Sequence, residues 1–213
     1  MKMKSAMGFI MLFIMFFCWN IAQGAEKKEG ETMQKDNVSL PTVKLFGVKT
    51  AQIEYIIKGD FAHGHRTFLF TDWGMRQSDI EQQDGADTKS ITIIDANFEY
   101  AFATGDKVGY KSKVDHPAWR SDSGLDFSAW MAKNFETQGF ISSGKQRVIA
   151  GKTCDVMKHV INKMTICVWN GVPLYMETST PDGKQKGITE AVKVDEHPAI
   201  ANDAFTVPAN IKF

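Results

Sequence analysis

From Lys49 onward this sequence alternates apolar and polar residues with a period of two. Ala51, Ile53, Tyr55 and Ile57 alternate with Gln52, Glu54 and Lys58. Successive side chains on a strand point to opposite faces, so this pattern specifies strands with one buried and one wet face. It recurs along most of the chain. Phe68 and Phe70 sit in a segment ending at the turn Thr71-Asp72-Trp73-Gly74. Arg76 to Gln83 is more polar and reads as an edge or solvent-covered strand. Ile91 and Ile93 lead through Asp95-Ala96-Asn97 to Phe98, Tyr100, Phe102 and Thr104, and Gly105-Asp106 is a hairpin turn into Val108, Tyr110, Ser112 and Val114.

One amphipathic helix interrupts the strands. Phe127, Trp130, Met131 and Phe135 recur at helical spacing behind Asp126, an N-cap residue type, and Gly139 is placed to end the helix. The stretch from His116-Pro117 to Asp126 reads as a loop. Strands resume at Arg147-Val148-Ile149 and continue as a hairpin, Lys152 to Ile161 and Met164 to Asn170, around Asn162-Lys163. Val172 to Thr178 follows, then the turn Thr180-Pro181-Asp182-Gly183, then Gly187 to Val194. Asn202 to Pro208 predicts one helical turn and an extended tail. The count is about eleven strands and one helix in a single, mainly β (α+β), mostly antiparallel domain.

The N-terminus is a different kind of segment. Lys2 and Lys4 precede an apolar run from Ala6 to Trp19, and Ala22-Gln23-Gly24 supplies small residues for cleavage. Residues 1–25 therefore read as a signal peptide. The apolar run, about 14 residues, is short for a membrane span, so cleavage is expected in preference to retention as an anchor. Cys18 lies within it, but Met15-Phe16-Phe17 lacks the small residues of a lipoprotein signal. Residues 26–45 form a polar leader and 46–213 the domain. The chain is thus expected in the periplasm, soluble after cleavage. The mature chain keeps 23 basic residues against 25 acidic ones, a net charge of about −2, and nothing in that balance favours nucleic acid or an anionic membrane surface.

Two cysteines remain in the mature chain, Cys154 and Cys167. In an oxidising compartment two such thiols pair, and their spacing fits neither a redox nor a zinc motif, so a structural disulfide is expected. Its removal should cost about 2–4 kcal/mol. The sequence has no Gly-x-Ser-x-Gly elbow, no His-Glu-x-x-His and no phosphate-cradling glycine loop. The expectation is a non-enzymatic protein without a cofactor. His63-Gly64-His65 would place two imidazoles on one face of a strand, but two ligands do not make a metal site.

The aromatic residues are the remaining candidates. Phe68, Phe70, Phe98, Tyr100, Phe102 and Tyr110 keep common parity within each strand, and Trp130 and Phe135 come from the helix. One reading puts them together on one face of a curved sheet with the helix laid across it. That face is then either a packed core or an apolar cavity for an acyl chain.

Three stretches carry a resemblance: Phe46 to Tyr55 leading to Phe68 to Arg76; Ile149 to Val156 with Ile166 to Leu174; and the tail Phe205 to Ile211. Together they resemble uncharacterised periplasmic proteins related to the bacterial outer-membrane lipoprotein-sorting carriers. The resemblance implies an unclosed antiparallel β-barrel with a helical lid over an apolar concave face that, in the carriers, holds lipoprotein acyl chains. The long opening helix of those carriers is not evident here, since Pro41 interrupts Thr32 to Phe46, and no single functional residue of theirs matches a position in this chain. Two expectations follow: a binding or carrier protein for a lipid or acylated partner, or an envelope protein-interaction module with a filled core.

Overall fold

The computed structural model describes residues 41–95, 97–114 and 117–213. The expected signal peptide, the leader up to residue 40, and His116 lie outside the described residues. The architecture below belongs to one compact unit, Val43–Phe213.

Eleven antiparallel strands form one unclosed sheet. Along the chain they are β2 (Ala51–Gly59), β3 (Gly64–Thr71), β4 (Arg76–Gln83), β5 (Ser90–Asp95), β6 (Phe98–Ala103), β7 (Tyr110–Lys113), β9 (Phe140–Ile149), β10 (Lys152–His159), β11 (Met164–Trp169), β12 (Val172–Ser179) and β13 (Lys186–Asp195). Their order in the sheet is β7-β6-β5-β4-β3-β2-β13-β12-β11-β10-β9. Two short strands, β1 (Val43–Lys44) and β8 (Trp119–Arg120), pair separately. Strand β13 joins the two runs of hairpins through β2. The sheet curves enough that β9 and β13, four places apart in the order, touch one another.

Most elements fall where alternation puts them, but β1 and β8 form in stretches read as leader and loop. β4 is an inner strand between β3 and β5, not an edge. β9 begins at Phe140, well before Arg147. Its segment Phe140 to Gln146 lacks alternation because, as an end strand, it is wet on both faces along most of its length.

The one α-helix among the described residues, α1 (Phe127–Thr137), starts where Asp126 accepts the Ala129 N–H at 2.7 Å. Gly139 follows it at φ +84°, and its N–H reaches the Glu136 carbonyl at 2.9 Å. The left-handed geometry favours glycine, so the chain turns sharply into β9. Phe135 on the helix packs on Phe140, Met157, Ile166 and Val168. The sheet side carrying Ile166 is called here the helix face. The C-terminal segment packs Phe205 and Ile211 on Ile93 and Phe102, on the opposite side, the tail face.

The disulfide forms between Cys154 and Cys167, with Cα atoms 5.3 Å apart. Cys167 stands opposite Val156 in the register, so the bridge runs diagonally across the β10–β11 pair. The hairpin and the disulfide are therefore both present. Ile166, Cys167 and Val168 are consecutive and all buried, so β11 is covered on both faces at the bridge.

Candidate functional site

The register settles which aromatic residues meet. Ala51, Ile53 and Tyr55 stand opposite Phe70, Phe68 and Arg66. Through β13 and β12 this row parity continues to Met176 and Ile166, so these side chains share the helix face. Phe46 seals them: its ring lies 4.6 Å from Phe70 and 6.0 Å from Phe68. Gly74 makes that possible, since a Cβ there would stand 2.4 Å from the Phe46 ring.

Across β4 the same face changes character. Phe68 stands opposite Asp79, then Thr92, Ala101 and Tyr110; Phe70 stands opposite Gln77, then Ile94, Glu99 and Ser112. The aromatic residues of β6 are on the other side. Leu69, Ser78, Ile93 and Tyr100 form one row, and Phe98 and Phe102 share that parity. The expected single aromatic face is therefore corrected. Phe68 and Phe70 lie on the helix face, and Phe98, Tyr100 and Phe102 lie on the tail face. Tyr110 returns to the helix face, half exposed on the end strand β7. Trp130 joins neither set: it is half-buried on α1, its ring 5.9 Å from that of Phe127. The physical reason is that parity within a strand is local, whereas parity between strands depends on register, and an offset of one residue exchanges the faces.

At the border between the apolar and polar parts of the helix face sits an ion pair that sequence reading missed. Arg66 donates to Asp79 through Nε at 2.8 Å and Nη2 at 2.6 Å. Its guanidinium lies 5.2 Å from the Tyr55 ring centre and 5.6 Å from that of Phe68. Burial works against the Arg66 charge, but Asp79 outweighs it and the group is held more firmly protonated than usual. Burial pushes the Tyr55 hydroxyl and the Glu81 carboxyl upward. Tyr55 donates to the Pro173 carbonyl at 3.0 Å. The pair is two-pronged and closed on itself, so it positions β3 on β4.

Two further groupings were also missed. Met131, Met164 and Met176 pack around buried Met157 between α1 and the sheet. Separately, Lys44 lies between Trp73 and Trp119, 5.3 and 5.2 Å from their ring centres, and Trp119 continues to Phe127 at 6.2 Å. A shallow cleft of about 250 Å³ lined by Leu125, Trp130, Lys133, Asn134 and Thr137 lies beside this strip. Trp73 and Trp119 fall in segments that read only as turn and loop, which is why periodicity did not show them. His63 and His65 are both exposed, and no group of three or more metal-ligating side chains forms among the described residues.

No protein-family model matches this sequence, and no curated protein matches it. Solved structures do. An uncharacterized conserved protein from Thermus thermophilus matches over 78% of this chain and 91% of its own length, at 8% identity and a TM-score of 0.51. That likeness shows the fold. Further matches include MucB, at 13% identity and a TM-score of 0.44, and the Pseudomonas aeruginosa MucA/MucB complex, at 11% and 0.43. This chain spans a little over half of the length of the MucB chains, 55% to 58%. An outer membrane lipoprotein-sorting domain from Vibrio parahaemolyticus matches over 74% of this chain at 10% identity and a TM-score of 0.30.

Proposed function

We propose that the mature chain is a non-enzymatic, periplasmic protein-binding module of the envelope with a filled core. One observation carries this reading. The aromatic side chains that would line an acyl cavity are divided between opposite faces and engaged with other parts of the chain. Phe68 and Phe70 are closed off by Phe46, and Phe102 by Phe205 and Ile211. A buried side chain packed at van der Waals distance leaves no room for a ligand of that size. The buried disulfide supports export.

A second reading, a carrier for a lipid or acylated protein, draws on the methionines under α1. Methionine side chains are unbranched and adapt to varied apolar partners. Lifting α1 would open that layer to an acyl chain.

The deciding measurement is native mass spectrometry of the mature protein recovered from the periplasm, followed by organic extraction. The protein-binding reading expects the mass of the polypeptide alone, plus a complex with an envelope protein. A stoichiometric lipid or acyl species would overturn it and establish the carrier.

A further inference from the structure

An unclosed sheet has two ends, and here they are treated differently. At one end β7 has only four residues. The C-terminal tail lies against the approach to it: the Lys212 carbonyl accepts the Gly109 N–H at 2.8 Å, and the Lys212 N–H donates to the Lys107 carbonyl at 3.0 Å. At the other end β9 has ten residues, and from Ile141 to Val148 only Ser143 is even partly covered. Ile141 is 54% exposed and Val148 69%. Among the described residues no strand pairs with the outer side of β9. A long open edge offers a row of backbone N–H and C=O groups to another strand.

The charge on this edge is of one sign. Lys145 and Arg147 are exposed and β9 contains no acidic residue; Lys145 is the freer cation, since the Arg147 guanidinium also lies 4.3 Å from the Tyr175 ring centre. They share one side of the strand, because they stand opposite Val156 and Cys154, two residues apart in β10. Gln146 and Val148 take the other side. Gly144, at φ +68°, sits in a bulge where β9 slips its register against β10. There the Ser142 and Ser143 hydroxyls accept the N–H groups of Gly144 and Lys145 at 3.2 and 3.3 Å. The stretch left for an added strand is therefore the second half, around Lys145 to Val148.

We infer that this half of β9 docks an extended, acidic segment of a partner protein by adding it to the sheet as a further strand. The inference rests on the protein-binding reading above and names the chemistry of the partner. The segment carries carboxylates at alternate positions facing Lys145 and Arg147, and a β-branched apolar residue beside Val148. A second copy of this chain does not fit. Antiparallel pairing of two β9 edges about Gln146 sets Lys145 against Arg147 twice, and like charges directly opposite destabilise a strand pair. The bulge and the basic residues are also the devices that keep an edge from pairing with itself.

The probe is a short peptide alternating glutamate with valine, compared with its lysine-valine counterpart, on the full mature chain. The acidic peptide is expected to bind at least about tenfold more tightly at low salt and to slow hydrogen exchange at the amides of Lys145 to Val148. The variant Lys145→Glu is expected to weaken the preference and the double variant Lys145→Glu, Arg147→Glu to reverse it; because Arg147 stacks on Tyr175, circular dichroism checks that the double variant is folded, and the single variant carries the test if it is not. Absence of binding, equal binding of the two peptides, or protection elsewhere than β9 would overturn the inference. A native complex whose β9 amides exchange as freely as in the isolated chain sinks the edge and leaves the protein-binding reading standing. A bound lipid with no complex sinks that reading itself.

Discussion

The sheet has two halves that bury most of their aromatic side chains on opposite sides, with Tyr175, on the tail face of the first half, as the exception. From β2 and β3 through β13 to β9, the helix face is apolar, sealed by Phe46 and α1. From β4 to β7 the same face carries Gln77, Asp79, Glu81, Thr92 and Glu99, and the apolar layer has moved to the tail face under Phe205 and Ile211. β3 is where the two layers overlap: Phe68 and Phe70 face one way, and Leu69 packs in the other cluster. A chain can therefore keep perfect alternation in every strand and still build two cores back to back, provided each has its own cover. Here the first is covered by residues before β2 and by the helix, the second by the C-terminus.

The sharpest way to break this comparison is to truncate one ring in each half. Phe70 is completely buried, and Phe70→Ala should cost about 4 kcal/mol in urea unfolding. Phe98 is 38% exposed at the end of the second layer, and Phe98→Ala should cost under about 1 kcal/mol. Equal losses would mean that the two rings share one core after all. Next in size comes the seam. Asp79→Ala leaves the Arg66 guanidinium charged between Tyr55 and Phe68 without its carboxylate, at a cost of about 3 kcal/mol. Asp79→Asn, which keeps the shape and one acceptor, should cost less. If the two variants unfold alike, the pair does not bind the halves electrostatically.

Much of this was legible in the sequence. The strands β2, β3, β5 and β6, the helix from its Asp126 cap, and the Cys154–Cys167 bridge follow from alternation, capping and compartment. What alternation does not encode is the register between strands. The parity of Phe68 is plain, and so is that of Phe102, but their relation depends on the turn at Asp72–Gly74 and the loops after it. The Arg66–Asp79 pair was hidden for the same reason, since the residues meet only because Phe68 stands opposite Asp79. β9 was invisible in its first half because an edge wet on both sides has no apolar face to repeat. The packing of the tail on Ile93 and Phe102 is a contact across the chain that composition does not mark.

The cover of the second half can be tested by itself. Ile211→Ala removes a buried contact of the tail and should cost about 2 kcal/mol, with faster hydrogen exchange concentrated in β5 and β6. Exchange in β10 and β11, around the disulfide, should stay as it is in the unaltered chain. Loosening that reaches β11 would mean that the two layers unfold as one unit.

The smallest effect comes from the polar part of the helix face. Burial raises the Glu99 carboxyl above the ordinary range. A carboxyl whose value is raised in the folded state favours folding most when protonated in both states, below its unfolded value of about 4.3. That contribution is lost as pH rises through the folded value, so at neutral pH the ionised Glu99 is a modest liability. Glu99→Gln removes the ionisation and keeps the shape. It should stabilise the chain at pH 7 by under about 0.5 kcal/mol, because the group is partly exposed and solvent screens it. The gain should vanish near pH 4. Unfolding curves at the two pH values decide the matter: a gain of the same size at both would assign the effect to packing against Ile94 and Ser112, the register neighbours of Glu99, instead of to charge.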